Sequence, residues 1–280
     1  MAKPDLSSAI EMAACSDTGR VRSHNEDSIL ANAALGLAVL ADGMGGYNAG
    51  EVASGMATAV LGSELQHAFD ARSPSEVGND GQVWAREALV DVIGRTNAAI
   101  HLAAQSNPKY AGMGTTLVMA QFFDDRVMVA HVGDSRLYRL REQKLAQLTR
   151  DHSLLQEQID SGMLTPEQAR FSQNKNLVTR AMGVEATVMT DVAEHEVRPG
   201  DIYLLCSDGL NDMVDDETIA EALSGLSANL ALCASQLVQV ANDNGGRDNV
   251  SVILAKVLAP FPANAEQPGL LGRMQSWFKK

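Results

Sequence analysis

The most informative segment of the sequence is LAVLADGMGG, residues 37–46. An apolar run of strand length ends abruptly in Asp42 and then in glycines, which predicts a buried strand with a carboxylate at its mouth. The glycines leave the backbone beside Asp42 open to close approach. The stretch therefore predicts a place where a metal ion is held.

Two further stretches repeat this arrangement downstream. In DIYLLCSDGL, residues 201–210, a second apolar strand runs into Asp208. In GGRDNV, residues 245–250, Asp248 comes just before a strand instead of after one. A single Asp-Gly pair has a simpler alternative, since aspartate commonly caps a turn. Three carboxylates that each abut a strand favour a site at which they meet in space.

The chemistry of these carboxylates indicates which ion they would hold. Their hard oxygen ligands suit Mg2+ or Mn2+. A carboxylate shared between two ions, helped by the carbonyl oxygen of Gly43, would hold two metals about 4 Å apart. A water that bridges such ions becomes hydroxide near neutral pH. The expected cofactor is therefore Mn2+ or Mg2+, with two ions in one site.

The polar loop at residues 20–27 offers what a phosphate site needs in addition. Guanidinium geometry matches phosphate oxygens, so Arg22 would clamp a phosphate group. Glu26 and Asp27 would bind a metal or orient its water. The alternative is a cluster of surface salt bridges, which is common for a loop of mixed charge.

Composition limits the class of protein. With 280 residues, 45% of them hydrophobic and 20% charged, the chain predicts one globular domain or one domain with an inserted lobe. A formal net charge of -13 argues against nucleic-acid binding, which depends on clustered Lys and Arg. The acidity has two interpretations, ordinary solubility and carboxylates gathered to bind cations.

Cysteine usage and hydropathy predict a cytoplasmic protein. Cys15, Cys206 and Cys233 are far apart in apolar surroundings, which favours buried thiols in a reducing compartment over disulfides. The N-terminus lacks the basic and then apolar pattern of a secretory signal. The most apolar window, residues 29–41, is too short to span a bilayer, so no transmembrane segment is expected.

Hydrophobic periodicity predicts strands, two helices, strands, two helices and a last strand. The predicted strands cover residues 10–16, 28–32, 35–41, 115–123, 126–132, 136–141, 144–148, 188–196, 201–206 and 249–257. The predicted helices cover residues 49–71, about 82–105, 216–224 and 228–244. The four strands between residues 115 and 148 are interpreted as an antiparallel meander. Two sheets packed back to back, with a helix pair on each outer face, would bury the apolar faces of these elements.

Six motifs in order resemble those of the metal-dependent protein serine/threonine phosphatases of type 2C, the PPM family. They are DTG with Arg22 and NED at residues 17–27, DGMGG at 42–46, GMGTT at 112–116, VGDSR at 132–136, SDGL at 207–210 and DNVS at 248–251. The resemblance covers about residues 16–257. It implies an α+β fold, a four-layer α-β-β-α sandwich of two antiparallel sheets flanked by helix pairs, with the metal centre at one end of the sheets.

The same resemblance implies a role for each matching residue. Asp42 corresponds to the carboxylate shared by two metals and Arg22 to the arginine that binds phosphate. The other implied roles belong to Gly43 through its carbonyl, Asp208 and Asp248 at the first metal, Glu26 and Asp27 around the second, Asp134 at a third and weaker metal, and Asn249 in support of Asp248.

One departure from the family concerns proton transfer. Many eukaryotic members have a histidine directly after the Asp-Gly pair, where this chain has Met44. A thioether cannot protonate the departing seryl oxygen, so the general acid would be a metal-bound water or another group. His152 is a candidate, and the alternative is a surface histidine near a helix start. His131, inside an apolar strand, is interpreted as a core residue.

The resemblance implies an enzyme that hydrolyses phosphoserine and phosphothreonine in proteins by attack of a metal-bridging hydroxide. Its partners would be phosphorylated proteins, which a Hanks-type serine/threonine kinase would supply. One alternative is a catalytically silent, phosphatase-like sensor, and another is a phosphoesterase acting on small molecules. The preserved Asp42, Asp208 and Asp248 favour catalysis over the sensor.

The predicted catalytic domain covers residues 1–258. A flap, predicted at about residues 151–183, would be inserted into it and shape substrate access. Residues 259–280 form a linker and a short, basic, amphipathic tail. This tail would contact a membrane surface or a partner, and the alternative is a frayed or self-packed terminus.

Overall fold

The computed structural model describes residues 5–46, 49–78, 81–165, 168 and 177–262. Within these residues the strands β1 to β11 are Ile10–Asp17, Asp27–Asn32, Leu37–Met44, Gly114–Thr115, Leu117–Phe123, Arg126–Val132, Arg136–Arg141, Lys144–Gln147, Asp191–Glu196, Ile202–Cys206 and Val250–Val257. The helices α1 to α6 are Ala49–Ala71, Trp84–Ser106, Leu154–Asp160, Asp208–Asn211, Asp216–Gly225 and Leu230–Asp243.

The strands form two antiparallel sheets. The first sheet has the order β1-β11-β10-β7-β8, and the second has the order β2-β3-β5-β6-β9, with the short β4 paired to β3. Helices α1 and α2 cover the outer face of the second sheet, whereas α5 and α6 cover the outer face of the first. The resulting four-layer sandwich confirms the predicted fold class.

Three apolar layers hold the sandwich together. Ala53, Ala57 and Leu61 of α1 recur at helical spacing and pack towards β3, where small side chains permit close contact. Between the sheets, residues such as Phe122 and Tyr203 stack edge to face with ring centroids 5.2 Å apart. The helices and the sheets are therefore fixed to one another by buried apolar area.

The predicted antiparallel meander between residues 115 and 148 is wrong in its middle. β5 pairs with β6 in the second sheet, and β7 pairs with β8 in the first, so the chain changes sheets between β6 and β7. Gly133 in this crossover has a φ of 104°, which a residue with a side chain rarely adopts. Hydrophobic alternation does not distinguish two hairpins in different sheets from one continuous meander.

The ends of the strands determine where the functional groups lie. Asp27 begins β2 opposite Asp42 near the end of β3. β10 ends where β11 begins, because these two strands are antiparallel. The carboxylates predicted from the three sequence stretches therefore lie at one end of the two sheets.

The last described residues pack at the opposite end. The ring of Phe261 contacts that of Phe122 edge to face, with centroids 6.1 Å apart. Its backbone N–H donates to Asp125 Oδ1 at 2.6 Å, in the turn between β5 and β6. The predicted tail lies largely outside the described residues, as does the middle of the predicted flap.

In the part of the chain that the structure describes, no helix is long and apolar enough to cross a membrane.

Candidate metal centre

The second sheet brings two carboxylates face to face. Asp27 and Asp42 are directly paired across β2 and β3. Like charges at directly opposite positions of an antiparallel pair are destabilising unless something offsets them. The N–H of Asp42 donates to Thr116 Oγ1 at 3.1 Å, and the N–H of Thr116 donates to the Asp42 carbonyl at 2.8 Å. These bonds fix the backbone from which Asp42 projects.

The first sheet supplies Asp208 and Asp248, which follow β10 and precede β11. Ser207 links this sheet to the second one, because its hydroxyl donates to Asp27 Oδ2 at 2.8 Å. The hydroxyl oxygen of Ser207 also accepts the N–H of Ser251 at 3.0 Å. The Ser207 side chain thus connects Asp27 of the second sheet to β11 of the first.

Asn249 organises the loop that carries the other acidic residues. Its amide nitrogen donates to the carbonyls of Thr18 and His24 at 3.0 and 2.8 Å. Its amide oxygen accepts the N–H of Glu26 at 2.8 Å. The backbone N–H of Asn249 also donates to Asp248 Oδ1 at 2.9 Å. Asn249 therefore contacts Asp248 through its backbone N–H and the loop of Glu26 through its side chain, and its support of Asp248 stays a prediction.

Arg22 lies at the rim of this arrangement. Its Nη2 donates to Asp248 Oδ2 at 2.6 Å, and 53% of its side chain is exposed. The alternative of a surface salt bridge is correct in part, since Arg22 forms an ion pair with Asp248. Its partner, however, is one of the clustered carboxylates, so a phosphate at the rim would lie within reach of the same guanidinium.

The carboxylates line one pocket of about 210 Å³. Its lining is made by Arg22, Glu26, Asp42, Gly43, Met44, Gly45, Thr116, Asp134, Val178, Asp208, Asp248 and Asn249. Asp134 comes from the crossover between the sheets and is buried. Asp27 lies behind this lining, opposite Asp42. All the residues predicted for metal binding are thus brought to one place.

Burial and mutual repulsion disfavour the charged forms of these carboxylates. Burial raises the pKa of Asp27 to about 6, against the effect of hydrogen bonds from Ser251 and Ser207. Burial likewise raises the pKa of Asp42 well above its ordinary value, and the charge of Asp27 adds to this shift. The pKa of Asp208 is raised well above its ordinary value by burial and by the charge of Asp134.

Unpaired oxygens at the same place fit a metal ion. Asp27 Oδ1 and Asp208 Oδ1 are buried and have no hydrogen-bond partner among the described residues. A buried acceptor without a donor costs free energy, and a hard cation is one way to offset this cost. The donor set consists of oxygen atoms, as Mg2+ and Mn2+ prefer. These residues therefore fit the divalent ions predicted from the sequence.

Glycines allow the backbones around the pocket to approach closely. A Cβ on Gly43 would lie 2.2 Å from the carbonyl oxygen of Gly50, at the start of α1. A Cβ on Gly209 would lie 1.9 Å from the carbonyl oxygen of Asn249. The Asp-Gly pairs that mark this site in the sequence are therefore required by packing as well as by chemistry.

His152 lies deeper than the sequence alternatives suggest. It is only 4% exposed, so it is not a surface histidine. Its Nδ1 accepts the N–H of Gly133 at 3.1 Å, and its Nε2 lies 3.3 Å from Asp191 Oδ2. It is absent from the described lining of the acidic pocket. Proton donation by His152 stays a prediction, whereas its contacts favour support of the crossover.

A second set of potential ligand atoms belongs to His131, His152 and Asp191, which lie within 4.8 Å of one another. The two imidazoles stack with ring centroids 4.6 Å apart. The guanidinium of Arg180 already donates to Asp191 Oδ1 at 2.8 Å and lies 3.1 Å from His152 Nε2. The cationic guanidinium of Arg180 therefore already neighbours these ligand atoms. His131 is buried, as expected for a core residue.

Sequence reasoning missed two polar residues of the site. Ser207 belongs to the SDGL motif and Thr116 to the GMGTT motif. A motif does not show which backbone group or carboxylate a hydroxyl contacts. The hydroxyl of Thr116 also lies 2.7 Å from that of Ser135, next to Asp134. These residues position the acidic side chains from behind.

Comparisons with known proteins agree with this geometry. The sequence profile of the family described as "Protein phosphatase 2C" matches residues 18–243. The chain is 41% identical over 264 residues to the serine/threonine protein phosphatase PstP of Mycobacterium tuberculosis, covering 94% of this chain and 48% of PstP. It therefore spans about half the length of that relative.

Two further comparisons cover nearly all of the chain to which this one is matched. The serine/threonine phosphatase Stp of Listeria monocytogenes is 38% identical over 243 residues, which are 86% of this chain and 93% of Stp. A crystal structure of the catalytic domain of PstP in complex with two manganese ions matches with a TM-score of 0.76 at 41% identity. That match covers 89% of this chain and 99% of the solved one. The chain belongs to the protein phosphatase 2C family.

Proposed function

We propose that this chain is a metal-dependent phosphatase that hydrolyses phosphoserine and phosphothreonine in proteins. The observation that carries the proposal is the acidic pocket, in which carboxylates from both sheets lie beside one exposed arginine. The names of PstP and Stp support serine/threonine phosphoproteins as the substrate class.

The proposed cofactor is Mn2+ or Mg2+, with two ions in the site. The residues that would hold them are Glu26, Asp27, Asp42, Gly43 through its carbonyl, Asp208 and Asp248, and Asp134 would help to hold a third, weaker ion. The two manganese ions in the PstP complex support this number. Bound divalent ions supply Lewis acidity, which makes water a nucleophile at neutral pH and offsets charge on phosphoryl oxygens.

The other residues bind and orient the substrate. Arg22 at the rim would exchange its contact with Asp248 for paired hydrogen bonds to the phosphoryl oxygens. Asn249 keeps the loop of Glu26 in place, so the acidic side chains are positioned before substrate arrives. Met44 lines the pocket without a proton to give.

The cellular setting is part of the proposal. We place the protein in the cytoplasm, where it would act on phosphoproteins made by a Hanks-type serine/threonine kinase. Residues 1–258, including the flap, would form the catalytic domain. The basic, amphipathic tail would contact a membrane surface or a partner.

The test is hydrolysis of a phosphothreonine peptide by the purified protein with Mn2+. We expect turnover that EDTA stops and that Asp42→Asn abolishes. Asp70→Asn is the matched control, because it makes the same change at an exposed position of α1. Calorimetry in parallel measures Mn2+ binding. Binding of Mn2+ without turnover would replace the proposed enzyme by the phosphatase-like sensor.

A further inference from the structure

His152 satisfies both polar backbone groups of Gly133, in the crossover between β6 and β7. The carbonyl of Gly133 accepts the N–H of His152 at 2.9 Å, and the N–H of Gly133 donates to the ring Nδ1 of His152 at 3.1 Å. This bond is buried, so bulk water cannot take the place of the imidazole. Gly133 directly precedes Asp134, which lines the acidic pocket. The imidazole therefore holds the backbone from which Asp134 projects.

His152 also contacts the backbone beside a second lining residue of the acidic pocket. The carbonyl of His152 accepts the N–H of Thr179 at 2.8 Å, and Ser153 pairs with Val178 in an isolated antiparallel bridge. Val178 is part of the lining, as Asp134 is. His152 is thus bonded to the chain neighbours of two residues that shape the pocket, although it is not part of the described lining.

The second ring nitrogen of His152 has a different partner. Because Nδ1 accepts a hydrogen bond, the neutral imidazole carries its proton on Nε2. Nε2 lies 3.3 Å from Asp191 Oδ2, at the start of β9, and can donate to it. Arg180 donates to the other oxygen of Asp191 at 2.8 Å, so this carboxylate is itself held in place. Burial lowers the pKa of His152, which favours the neutral form, and the imidazole is held at both nitrogens.

The residues on the two sides of Asp134 are anchored differently. On one side, the hydroxyl of Ser135 lies 2.7 Å from that of Thr116. On the other side, Gly133 has a φ of 104°, and glycine gives the backbone the most freedom to move once a hydrogen bond is lost. Without an acceptor at Nδ1, the N–H of Gly133 would have to find another partner, because a buried donor without one is costly. Loss of the bond to the imidazole would therefore displace Asp134.

We propose that His152 is a positioning residue, which fixes Asp134 for metal binding through its bond to Gly133. It touches neither the substrate nor the reacting atoms, in contrast to the proton donor considered from the sequence. This inference rests on the metal centre of the proposed function, in which Asp134 helps to hold a third, weaker ion. Replacing a residue that orients a metal ligand commonly lowers metal affinity by about 10- to 100-fold. The ion that Asp134 holds should therefore be affected more than the others.

Two amide substitutions separate the two bonds of the imidazole. In His152→Asn, the amide oxygen lies near the place of Nδ1 and can accept the N–H of Gly133, whereas the contact with Asp191 is lost. In His152→Gln, the amide group lies near the place of Nε2 and can donate to Asp191, whereas the bond to Gly133 is lost. By calorimetry, we expect the weakest-bound Mn2+ to bind about tenfold less tightly to His152→Gln than to the unchanged protein. Its affinity for His152→Asn should stay within about twofold of that of the unchanged protein.

His131→Gln is the matched control, because it makes the same change in the ring that stacks on the ring of His152. The Nε2 of His131 lies 2.8 Å from the carbonyl of Arg150, which the new amide can still contact. Its Mn2+ affinity should stay within about twofold of that of the unchanged protein. Circular dichroism in EDTA verifies that each variant is folded.

Equal Mn2+ binding by all four proteins, or equally weakened binding by both variants of His152, would overturn this inference. So would an equal loss of kcat in these two variants at unchanged Mn2+ affinity, because that result would identify the imidazole as a proton donor. If His152→Gln does not fold, His152→Asn decides, since retained affinity supports the inference and about tenfold weaker binding overturns it. If the unchanged protein hydrolyses no phosphopeptide while Mn2+ binding differs as expected, the proposed function fails and this inference stands.

Discussion

Asp27 and Asp42 show how a single pair of residues can indicate a ligand. The strand register places them opposite each other, the Ser207 hydroxyl donates to Asp27, and the N–H of Asp42 donates to Thr116 Oγ1, which helps to fix both residues in place. Burial then penalises their charges further. The chain thus holds two carboxylates in a position that a bound cation, or a proton on one of them, makes favourable.

The pH dependence of the metal-free protein follows from Asp27. Its pKa of about 6 in the folded state lies above the ordinary 3.8, so the folded state binds more protons. Asp27 therefore lowers the free energy of unfolding progressively as the pH rises from about 4 to 6. Above that range the decrease is complete. We expect Asp27→Asn to stabilise the metal-free protein by about 1–3 kcal/mol at pH 8 and by less at pH 5.

Urea unfolding in EDTA, with both proteins measured at both pH values, checks this expectation. Comparing the two proteins at each pH removes the contributions of groups that Asp27 does not influence, including His131 and His152, whose pKa values burial lowers. An equal difference between the proteins at pH 5 and pH 8 would contradict the assignment.

Arg22 is the second residue whose chemistry predicts a measurable effect. We expect Arg22→Lys to lower kcat/KM for a phosphopeptide about 10- to 100-fold, because an ammonium group cannot offer two parallel donors to a phosphate. Mn2+ affinity should change little. Steady-state kinetics and calorimetry check this, with Arg198→Lys at an exposed ion pair with Glu196 as the control. Unchanged kinetics in Arg22→Lys would remove the arginine from the substrate site.

At the scale of elements, the sequence predicts most strands and helices because their apolar periods are long and uninterrupted. α1 begins and ends where predicted, at Ala49 and Ala71. The error at β6 and β7 has a physical cause, because β6 is buried on both faces over most of its length, so that its alternation disappears and does not show which strand follows it in the sheet. Which sheet each strand joins depends on Gly133 and on long-range packing.

The prediction of site residues from the sequence has a similar limit. Local patterns predict Asp42, Asp208 and Asp248, since each abuts an apolar run. Asp134 is predicted only through the family resemblance, because Gly133 separates it from the strand that ends at Val132. The position of His152 depends on a neighbouring strand, β9, that is far away in sequence. Contacts of this kind leave no periodic signal.

The junction of α1 with β3 yields a prediction about an element. A Cβ on Gly50 would lie 2.7 Å from the carbonyl carbon of Gly43 and 2.9 Å from Glu26 Cδ. We expect Gly50→Ala to reduce stability by about 1–3 kcal/mol and to weaken Mn2+ binding, since α1 would move away from the pocket. Gly55→Ala, on the same helix with open space around it, should raise stability by about 0.5–1 kcal/mol. Thermal unfolding and Mn2+ titration test both, and a Gly50→Ala protein as stable as the parent would refute the close packing.

At the scale of the whole molecule, the site connects layers that are otherwise joined by apolar contacts. Asp27 and Asp42 come from the second sheet, whereas Asp208 and Asp248 come from the first. Cations bound by these four residues would hold the two halves of the sandwich together. Ligand binding should therefore be visible in global stability.

We expect saturating Mn2+ to raise the Tm by about 5–10 °C, as estimated for an ion present at about 100 times its Kd. EDTA should reverse the increase. Asp208→Asn should retain the fold, because the side-chain volume is nearly unchanged, but lose most of the increase and all turnover. Scanning calorimetry with and without Mn2+ measures this. A well-folded Asp208→Asn protein with parental activity would exclude Asp208 as a ligand.

The position of Phe261 indicates where a label, a fusion partner or a solid support can be attached to the protein. β5 runs antiparallel to β3, so the β5–β6 turn that Phe261 contacts lies at the end where β3 begins, far from Asp42. A fluorophore, fusion partner or solid support joined directly after Phe261 would thus start from the side opposite the acidic pocket. Immobilised through that point, the protein would present its pocket to the bulk solution, and large phosphoproteins would reach it as freely as small esters do.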